Sequence, residues 1–598
     1  MKHKIFIISL ISIITLSQAV CQTSRNDAEF NLIKKEYVVN KDGSIDYTYR
    51  KELKLLSLRS FFSIYGETFI VYNPDYQTLK INEAYTLRAD GSKVETPANA
   101  FNEVLPSSCT DCARYNNMKE MVVTHTALEY NATIVLDYTI HSEPKFNKEL
   151  MDVIEFVEYS PVKEYDVTVS VPKTMEIRER MLNLRLGATI TENDNFKQYH
   201  WNIKNLKQSY AEPYLPNDKD LYPVLVFTTA KDMTKAYFSF VNQNAFINMN
   251  IPESKETINQ IIGEKGGEFK NILAIRDYVV DNVVTNSISI KYNNYVLADA
   301  STTWKANCGN EAEKAVLLCA MLNEAGYSAM PVAFAYEPMH NDAVGCLDII
   351  EHWGAKINFK NKDIVLSPVS KDNRSLETVY QGYIMYPISA TAETFRAKPL
   401  PVIANTVNLK SKLDIDKQAL NGNISVDATS AQVPYFQIFA QRDKAANLIT
   451  NVKVDVDNVK VDGSHITFVG DVNSNNRDMK SGYYSFMIPE VKCGYTIDAT
   501  ALNTKREAPL YATNSSEKYE YTIAIPTDCK FVTKACDIKE NYNFGSVHIS
   551  IKIDEQTATI SRELTVYNNV IAIADYDNFR KMMILWDNEA YKTVIYKM

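Results

Sequence analysis

Polar and apolar residues alternate with a period of two through most of the first third of the chain. YVVNKDGSIDYTYRKELKL and YQTLKINEAYTLRADGSKVETP are such runs, and Asp42-Gly43 and Asp90-Gly91 fall where hairpin turns belong. ATIVLDYTI and YDVTVSVP read as further strands, the second closed by Pro172. From Ala28 to Phe227 the pattern predicts a β domain, a sandwich or open barrel of many short strands. Near Thr228 the period changes. In NILAIRDYVVDNVV the residues Ile272, Leu273, Ile275, Val279, Val280 and Val283 recur at helical spacing, and a second helix is expected from about Asn310 to Ala325, stopped by Gly326. Short strands in YSAMPVAFAY, HWGAKINF and DIVLSP follow, so residues 232–400 read as an α+β domain. From Pro401 the alternation returns in KYEYTIAIP, SVHISIKI and ATISRELTVY, which predicts a C-terminal β-sandwich over 401–598. No repeat of fixed period and no Pro/Gly/Ser-rich linker separates these parts, so they are expected to abut.

Composition supports several packed cores. The 598 residues are 45% hydrophobic and 23% charged, with 18 Gly and 20 Pro, which excludes disordered and low-complexity classes. Tyr is abundant, 37 against 4 Trp, as suits half-buried strands. A net charge of −9 with no long basic run gives no reason to expect nucleic acid or an anionic membrane as partner. The start, MKHKIFIISLISIITLSQAVCQ, has a basic end, an apolar run and small residues Ser17 and Ala19, and reads as a signal peptide over residues 1–20. It is too short to span a bilayer, and no later apolar run approaches the required length. Cleavage after Ala19 would remove Lys2 and Lys4 and take the charge from −9 to −11. Cys21 raises the question of a lipid anchor, but Gln18 and Val20 stand where a lipobox has Leu and a small residue. A soluble exported protein, periplasmic or at the cell envelope, is the favoured reading, its N-terminal β domain covering 25–231.

Nine cysteines are too few for a disulfide scaffold, so each is read in context. In TTWKANCGNEAEKAVLLCAMLNEAGYSAMPV, Asn307 is placed to cap a helix with Cys308 in its first turn. A helix N-terminus favours the thiolate, the form that attacks carbonyl carbon. Cys308, Ala312, Ala315, Cys319 and Leu322 share one helical face, and His352 follows on a predicted strand as a candidate base. No metal or cofactor is expected from the motifs.

This block resembles the transglutaminase-like core, a branch of the papain-like cysteine fold. Its pattern is Gly/Asn-Cys at a helix start, LL-x-A-x-L-x-x-x-G-Y/I within the helix, His on one strand and Asp-Pro on the next. Here those elements read Asn307-Cys308, LLCAMLNEAGY, His352 and Ser367-Pro368. The flanking runs YVVNKDG, YTLRADGSKV, NEVLP and YSPVKEYDVTVSVP resemble the uncharacterised β domain that precedes this core in exported proteins of Bacteroidetes, and YEYTIAIP with ISRELTVYNNVI is similar to the domain that follows it. The resemblance implies a Cys308–His352 site for acyl transfer or amide hydrolysis through a thioester. The substrate would be a peptide, a protein or a glycoconjugate, and Trp304 would line the site. One position departs: the third triad member is Ser367 where the family has Asp, so a carboxylate that orients the imidazole is missing. Asp363 lies four residues before Ser367, about 13 Å away along an extended strand and too far to substitute, whereas Asp348 or Asp372 could reach through loops. The alternative implied by Ser367 is a catalytically degenerate fold that binds or supports other molecules at the envelope.

The remaining cysteines read differently. Cys109 and Cys112 form a C-x-x-C outside any βαβ unit, for which a local disulfide is expected, and Cys529 and Cys536 flank a hairpin that a bridge would close. Cys319 reads as core packing and Cys346 as a loop thiol, Cys493 has no assignment, and His340 reads as a loop histidine.

Overall fold

The computed structural model describes residues 26–597, apart from 147, 263–266, 373, 417–418, 432, 434–441, 476–477, 481, 500–501 and 504. The expected signal peptide and Cys21 lie outside the described residues. The chain is multidomain and strand-rich.

The first part is built on β1 (Ala28–Val39), β2 (Ile45–Leu55), β3 (Gln77–Leu87), β4 (Lys93–Glu95), β5 (Thr133–Ser142), β6 (Val162–Pro172), β7 (Thr189–Glu192) and β8 (Phe196–Leu206). They form one eight-stranded sheet in the order β7-β8-β6-β1-β2-β5-β3-β4. Every pairing is antiparallel except β1 with β6. The β1–β2 turn holds Gly43 at a φ of 87°, a conformation that costs a side-chain-bearing residue steric strain. A smaller sheet of Met151–Glu155, Arg178–Leu182 and Val224–Thr228 lies between this part and the next. Leu225 and Phe227 join the core under the eight-stranded sheet, while Val224 and Val226 join the core of the following helices. Both faces of Val224–Thr228 are therefore buried, and its residues are apolar without alternation apart from Thr228.

The middle part runs through α1 (Glu268–Asn282), β9 (Val284–Thr285), α2 (Ala300–Ala306), β10 (Cys308–Gly309) and α3 (Glu311–Glu324). It continues as β11 (Ala329–Tyr336), β12 (Ile350–Phe359), β13 (Lys362–Leu366), β14 (Tyr383–Pro387) and β15 (Lys398–Pro399). The strands β11 to β15 make a sheet in the order β13-β12-β11-β14-β15, and α3 packs on β11 and β12. α3 is buried on all sides from Ala312 to Leu322, so it is the central element of this core and Cys319 is packing within it. Gly326, at φ +89°, ends the helix as expected.

The last part contains β16 (Asn405–Asp416), β17 (Ala419–Thr429), β18 (Val454–Asp462), β19 (His465–Ser474), β20 (Ser515–Ala524), β21 (Cys536–Tyr542), β22 (Gly545–Asp554), β23 (Thr557–Val566) and α4 (Tyr576–Asp587). Its eight strands follow the order β18-β19-β17-β16-β20-β23-β22-β21, again antiparallel except at one central pair, β16 with β20. Burial alternates strictly along β16, which puts one face on a core shared with α4 and with a four-stranded sheet containing Tyr483–Met487 and Thr593–Lys597. Cys529 and Cys536 carry no bridge between them, contrary to expectation. The segment joining them leaves for the four-stranded sheet at Lys530–Phe531 before entering the eight-stranded one at Cys536, so it does not form a hairpin. Cys493 is buried in the same core. Among the described residues no helix is long and apolar enough to cross a membrane, and no group of three or more His, Cys, Asp and Glu side chains is placed to hold a metal ion.

Candidate functional site

The start of α3 is the meeting point of the first and middle parts. α2 ends at Asn307, whose left-handed backbone (φ 52°) and N–H bond to the Trp304 carbonyl make it the C-cap of that helix. Cys308 and Gly309 then form β10, which pairs in parallel with β9, Val284 opposite Cys308. Asn310 is the N-cap of α3: its side chain accepts from the Glu313 N–H at 3.0 Å, and the Glu313 carboxylate accepts from the Asn310 N–H at 3.0 Å. The expectation of an Asn307 cap with Cys308 in the first turn is thus corrected. Asn310-x-x-Glu313 is a reciprocal capping box, a stronger start signal than a lone Asn three residues earlier. Asn310→Ala is expected to destabilise the protein by about 1 kcal/mol, read as a lower urea midpoint.

Cys308 is bonded to Cys112, with a Cα–Cα distance of 5.5 Å across 196 residues of sequence. The expected Cys109–Cys112 bridge is therefore not formed, and Cys109 remains a buried thiol. All three cysteine side chains are buried in one apolar cluster with Tyr115, Met118 and Ile288. Beside it, the fully buried Glu313 carboxylate accepts from the Tyr115 hydroxyl at 2.8 Å and from the Ala298 N–H at 2.8 Å. Arg114 Nη1 lies 3.3 Å from the same carboxylate, close enough to pair in charge although not aligned as a hydrogen bond. A disulfide and a buried carboxylate thus tie the 106–118 loop of the first part to the helix start of the middle part.

His352 sits on β12 opposite Phe334 of β11. Its ring stacks on Tyr380 with centroids 4.4 Å apart and planes 8° from parallel, with Tyr383 on another side at 6.2 Å. The side chain at the first turn of α3 that faces it is Glu311, whose Oε2 lies 3.8 Å from His352 Nδ1. Tyr383 donates to Glu351 Oε2 at 3.1 Å, and Lys219 Nζ lies 2.8 Å from Glu351 Oε1. Ser367 is buried just beyond β13, and its hydroxyl accepts from the Val369 N–H at 3.2 Å. No hydrogen bond joins His352 to Ser367 or Cys308 among the described residues.

The other acids do not substitute for the missing carboxylate. Asp363 pairs with Lys356 at 2.8 Å, and Asp372 is clamped by Arg374, whose hydrogen bonds hold its carboxyl below the usual range. Trp304 stacks on Tyr278 rather than on His352. His340 lies in a loop, bonded to Tyr386 and Asp342. Asp348 lies elsewhere, accepting from the Tyr295 hydroxyl in a cluster with Lys291, Asp152 and the buried thiol of Cys346. Burial and then the Asp152 charge hold Asp348 up at about 6 against the opposing pull of Lys291. Its pKa in the folded state lies above the unfolded carboxyl value of about 3.9. The stability it contributes is therefore present below that value and lost as pH rises through about 6. Urea midpoints taken from pH 4 to 7 are expected to fall more steeply for the native protein than for Asp348→Asn; parallel curves would remove the assignment.

Glu311 and Tyr380 are not singled out by sequence reasoning, which reads Cys112 only as a partner for Cys109. Glu311 was within reach, because the capping box makes it the first residue of α3. Tyr380 and the pairing of Cys112 depend on loops whose course no local pattern gives.

Residues 41–210 match the model of a domain of unknown function with solved structure, DUF3857, and residues 485–596 match that of a second, DUF3858. Over 96% of this chain and 99% of the other, the fold is similar to the crystal structure of a "putative protease" from Parabacteroides distasonis ATCC 8503, at 26% identity and a TM-score of 0.69. A "putative cysteine protease" from Cytophaga hutchinsonii matches at 12% identity, covering 42% of this chain and 85% of its own, with a TM-score of 0.18 that carries no argument. No curated protein matches the chain.

Proposed function

We propose that this chain is an exported transglutaminase-like protein of the cell envelope, with a β part over 25–231, the core over 232–400 and a β-sandwich over 401–598. It works by binding or supporting a peptide, protein or glycoconjugate, and not through Cys308 as a nucleophile. One observation carries the reading: the Cys308 sulfur is shared with Cys112 in a buried joint, while the group facing His352 at the helix start is the Glu311 carboxylate. Acyl transfer through a thioester needs a thiolate, which a disulfide sulfur is not. Ser367 does not supply the orienting charge either, its hydroxyl being engaged by the Val369 backbone. In this reading the Tyr380–His352–Tyr383 surface is the part that meets a ligand, through stacking and the hydrogen-bonding edge of the imidazole.

A short pulse of a thiol-directed electrophile at pH 7, without reductant, is expected to leave Cys308 unlabelled; the same pulse after reduction and denaturation labels it. Native Cys308 that reacts faster than a free small thiol, with an amidase or transamidase activity abolished by Cys308→Ala, would sink the reading.

The near full-length similarity to the P. distasonis protein favours a second reading, that of a hydrolase or acyltransferase. Cys308 would then have to be reduced and reach His352. Its thiolate would attack an amide carbonyl, His352 would pass the proton to the leaving amine, and the acyl group would go to water or another amine. Loss of activity in both Cys308→Ala and His352→Ala, at unchanged folding, is the result that would favour it.

A further inference from the structure

Three cysteines share the buried cluster at the joint, and only two of them are bonded to each other. Cys109 lies on the same short loop as Cys112. The Cys112 N–H donates to the Cys109 carbonyl at 3.1 Å, closing a four-residue turn. Such a turn holds its end Cα atoms within about 7 Å, and a disulfide spans Cα separations of roughly 4.4–6.8 Å. The turn thus holds the Cys109 and Cys112 backbones at about the span of a disulfide, and on its other side Cys112 is bonded to Cys308 with Cα atoms 5.5 Å apart.

A second observation points at the free sulfur. Asn286 follows β9 and is 3% exposed; its carbonyl oxygen accepts from the Ile288 N–H at 2.7 Å, while its amide Nδ2 is buried without a hydrogen-bond acceptor. Its side chain is one of two groups that favour the Cys109 anion, the other being the Ser108 hydroxyl, 3.8 Å from the Cys109 sulfur. A buried amide donor whose only neighbouring acceptor is a sulfur interacts weakly with the neutral thiol and strongly with a thiolate.

We propose that Cys109 is an internal nucleophile that exchanges with the Cys112–Cys308 disulfide. The Cys109 thiolate attacks the Cys112 sulfur, the Cys109–Cys112 bond forms as the Cys112–Cys308 bond breaks, and the electron pair leaves on Cys308. One disulfide and one thiol exist before and after, so no oxidant or reductant is consumed; the proton that Cys109 gives to solvent is returned to Cys308. The exchange releases the covalent tie between the first part and the start of α3 and leaves the Glu313 contacts in place. It does not depend on what the protein binds or cleaves.

The groups around Cys109 set its pH response. Burial pushes the thiol up, the Glu120 charge on the neighbouring strand adds to this, and Ser108 and Asn286 oppose it. Tyr115 and Tyr292 pack against the same cluster. Below the thiol pKa the thiolate fraction, and with it the exchange rate, rises about tenfold per pH unit.

The test uses the full-length protein without reductant, held at pH 7, 8 and 9, quenched with acid, denatured in N-ethylmaleimide and mapped as non-reduced peptides. The expected result is a Cys109–Cys112 linked peptide together with alkylated Cys308, accumulating about tenfold faster per pH unit. In Cys109→Ser, alkylation of Cys308 should fall by at least about tenfold, because the attacking thiolate is gone. Cys308→Ser treated with oxidised glutathione should form Cys109–Cys112; should that variant fail to fold, the wild-type map decides alone. Cys112–Cys308 as the sole linkage at every pH, or equal Cys308 alkylation in Cys109→Ser, overturns the proposal.

Discussion

Cys308→Ala, and equally Cys112→Ala, is expected to lower the stability of the joined first and middle parts by about 3–5 kcal/mol. The bond closes a loop across 196 residues. Long loops lose the most conformational freedom in the unfolded chain when cross-linked, and the chain-entropy estimate for a loop of this size is about 5 kcal/mol before any strain or residual structure reduces it. Urea unfolding without reductant measures the loss, and the native protein with dithiothreitol should reproduce it. The double variant should cost no more than either single one, because both remove the same bond. The outcome separates the two functional readings. A thiol used only in catalysis would leave folding almost unchanged when replaced by alanine, whereas a structural half-cystine sets the stability of the joint. A change below about 1 kcal/mol in both single variants would falsify the structural role.

How far the sequence could be read depended on whether the deciding interactions were local. The hairpin at Gly43, the period change near Thr228, α1, the end of α3 at Gly326 and the strands in HWGAKINF and DIVLSP all follow from patterns a few residues long, and the structure has them where the patterns place them. The start of α3 near Asn310 is also written locally, in Asn310-x-x-Glu313, and only the cap assigned to Asn307, with Cys308 in the first turn, falls three residues too early. Disulfide pairing was of another kind. Cys109 and Cys112 are neighbours in sequence, which suggests a local bridge, yet the partner of Cys112 is brought in by the packing of a loop of the first part onto the middle part. The surroundings of His352 are equally non-local: Glu311 arrives from the helix start and Tyr380 from the loop before β14. The spacing from His352 to Ser367 puts one on β12 and the other just after β13 but does not say whether their side chains meet, and the Ser367 hydroxyl turns to its own backbone two residues on.

Glu313→Ala is expected to cost about 3–5 kcal/mol, the cost of breaking a buried charged network by removing one partner. The carboxylate is fully buried and receives the Asn310 N–H, the Ala298 N–H and the Tyr115 hydroxyl, with Arg114 beside it. Removing it leaves those donors in a space from which water is excluded, and each unpaired group carries a desolvation penalty of roughly 1–3 kcal/mol. Tyr115→Phe removes one donor and leaves the carboxylate three other neighbours, so its cost should be nearer 1 kcal/mol. Because Tyr115 and Cys112 lie on one loop, held by the carboxylate at one point and by the disulfide at another, the two devices share the entropy of fixing that loop. Combining Glu313→Ala with Cys308→Ala should therefore destabilise by less than the sum of the single effects, with a coupling of about 0.5–3 kcal/mol in a double-mutant cycle. Strict additivity would mean that the loop is held independently at its two attachments, and that breaking the disulfide leaves the carboxylate joint at full strength.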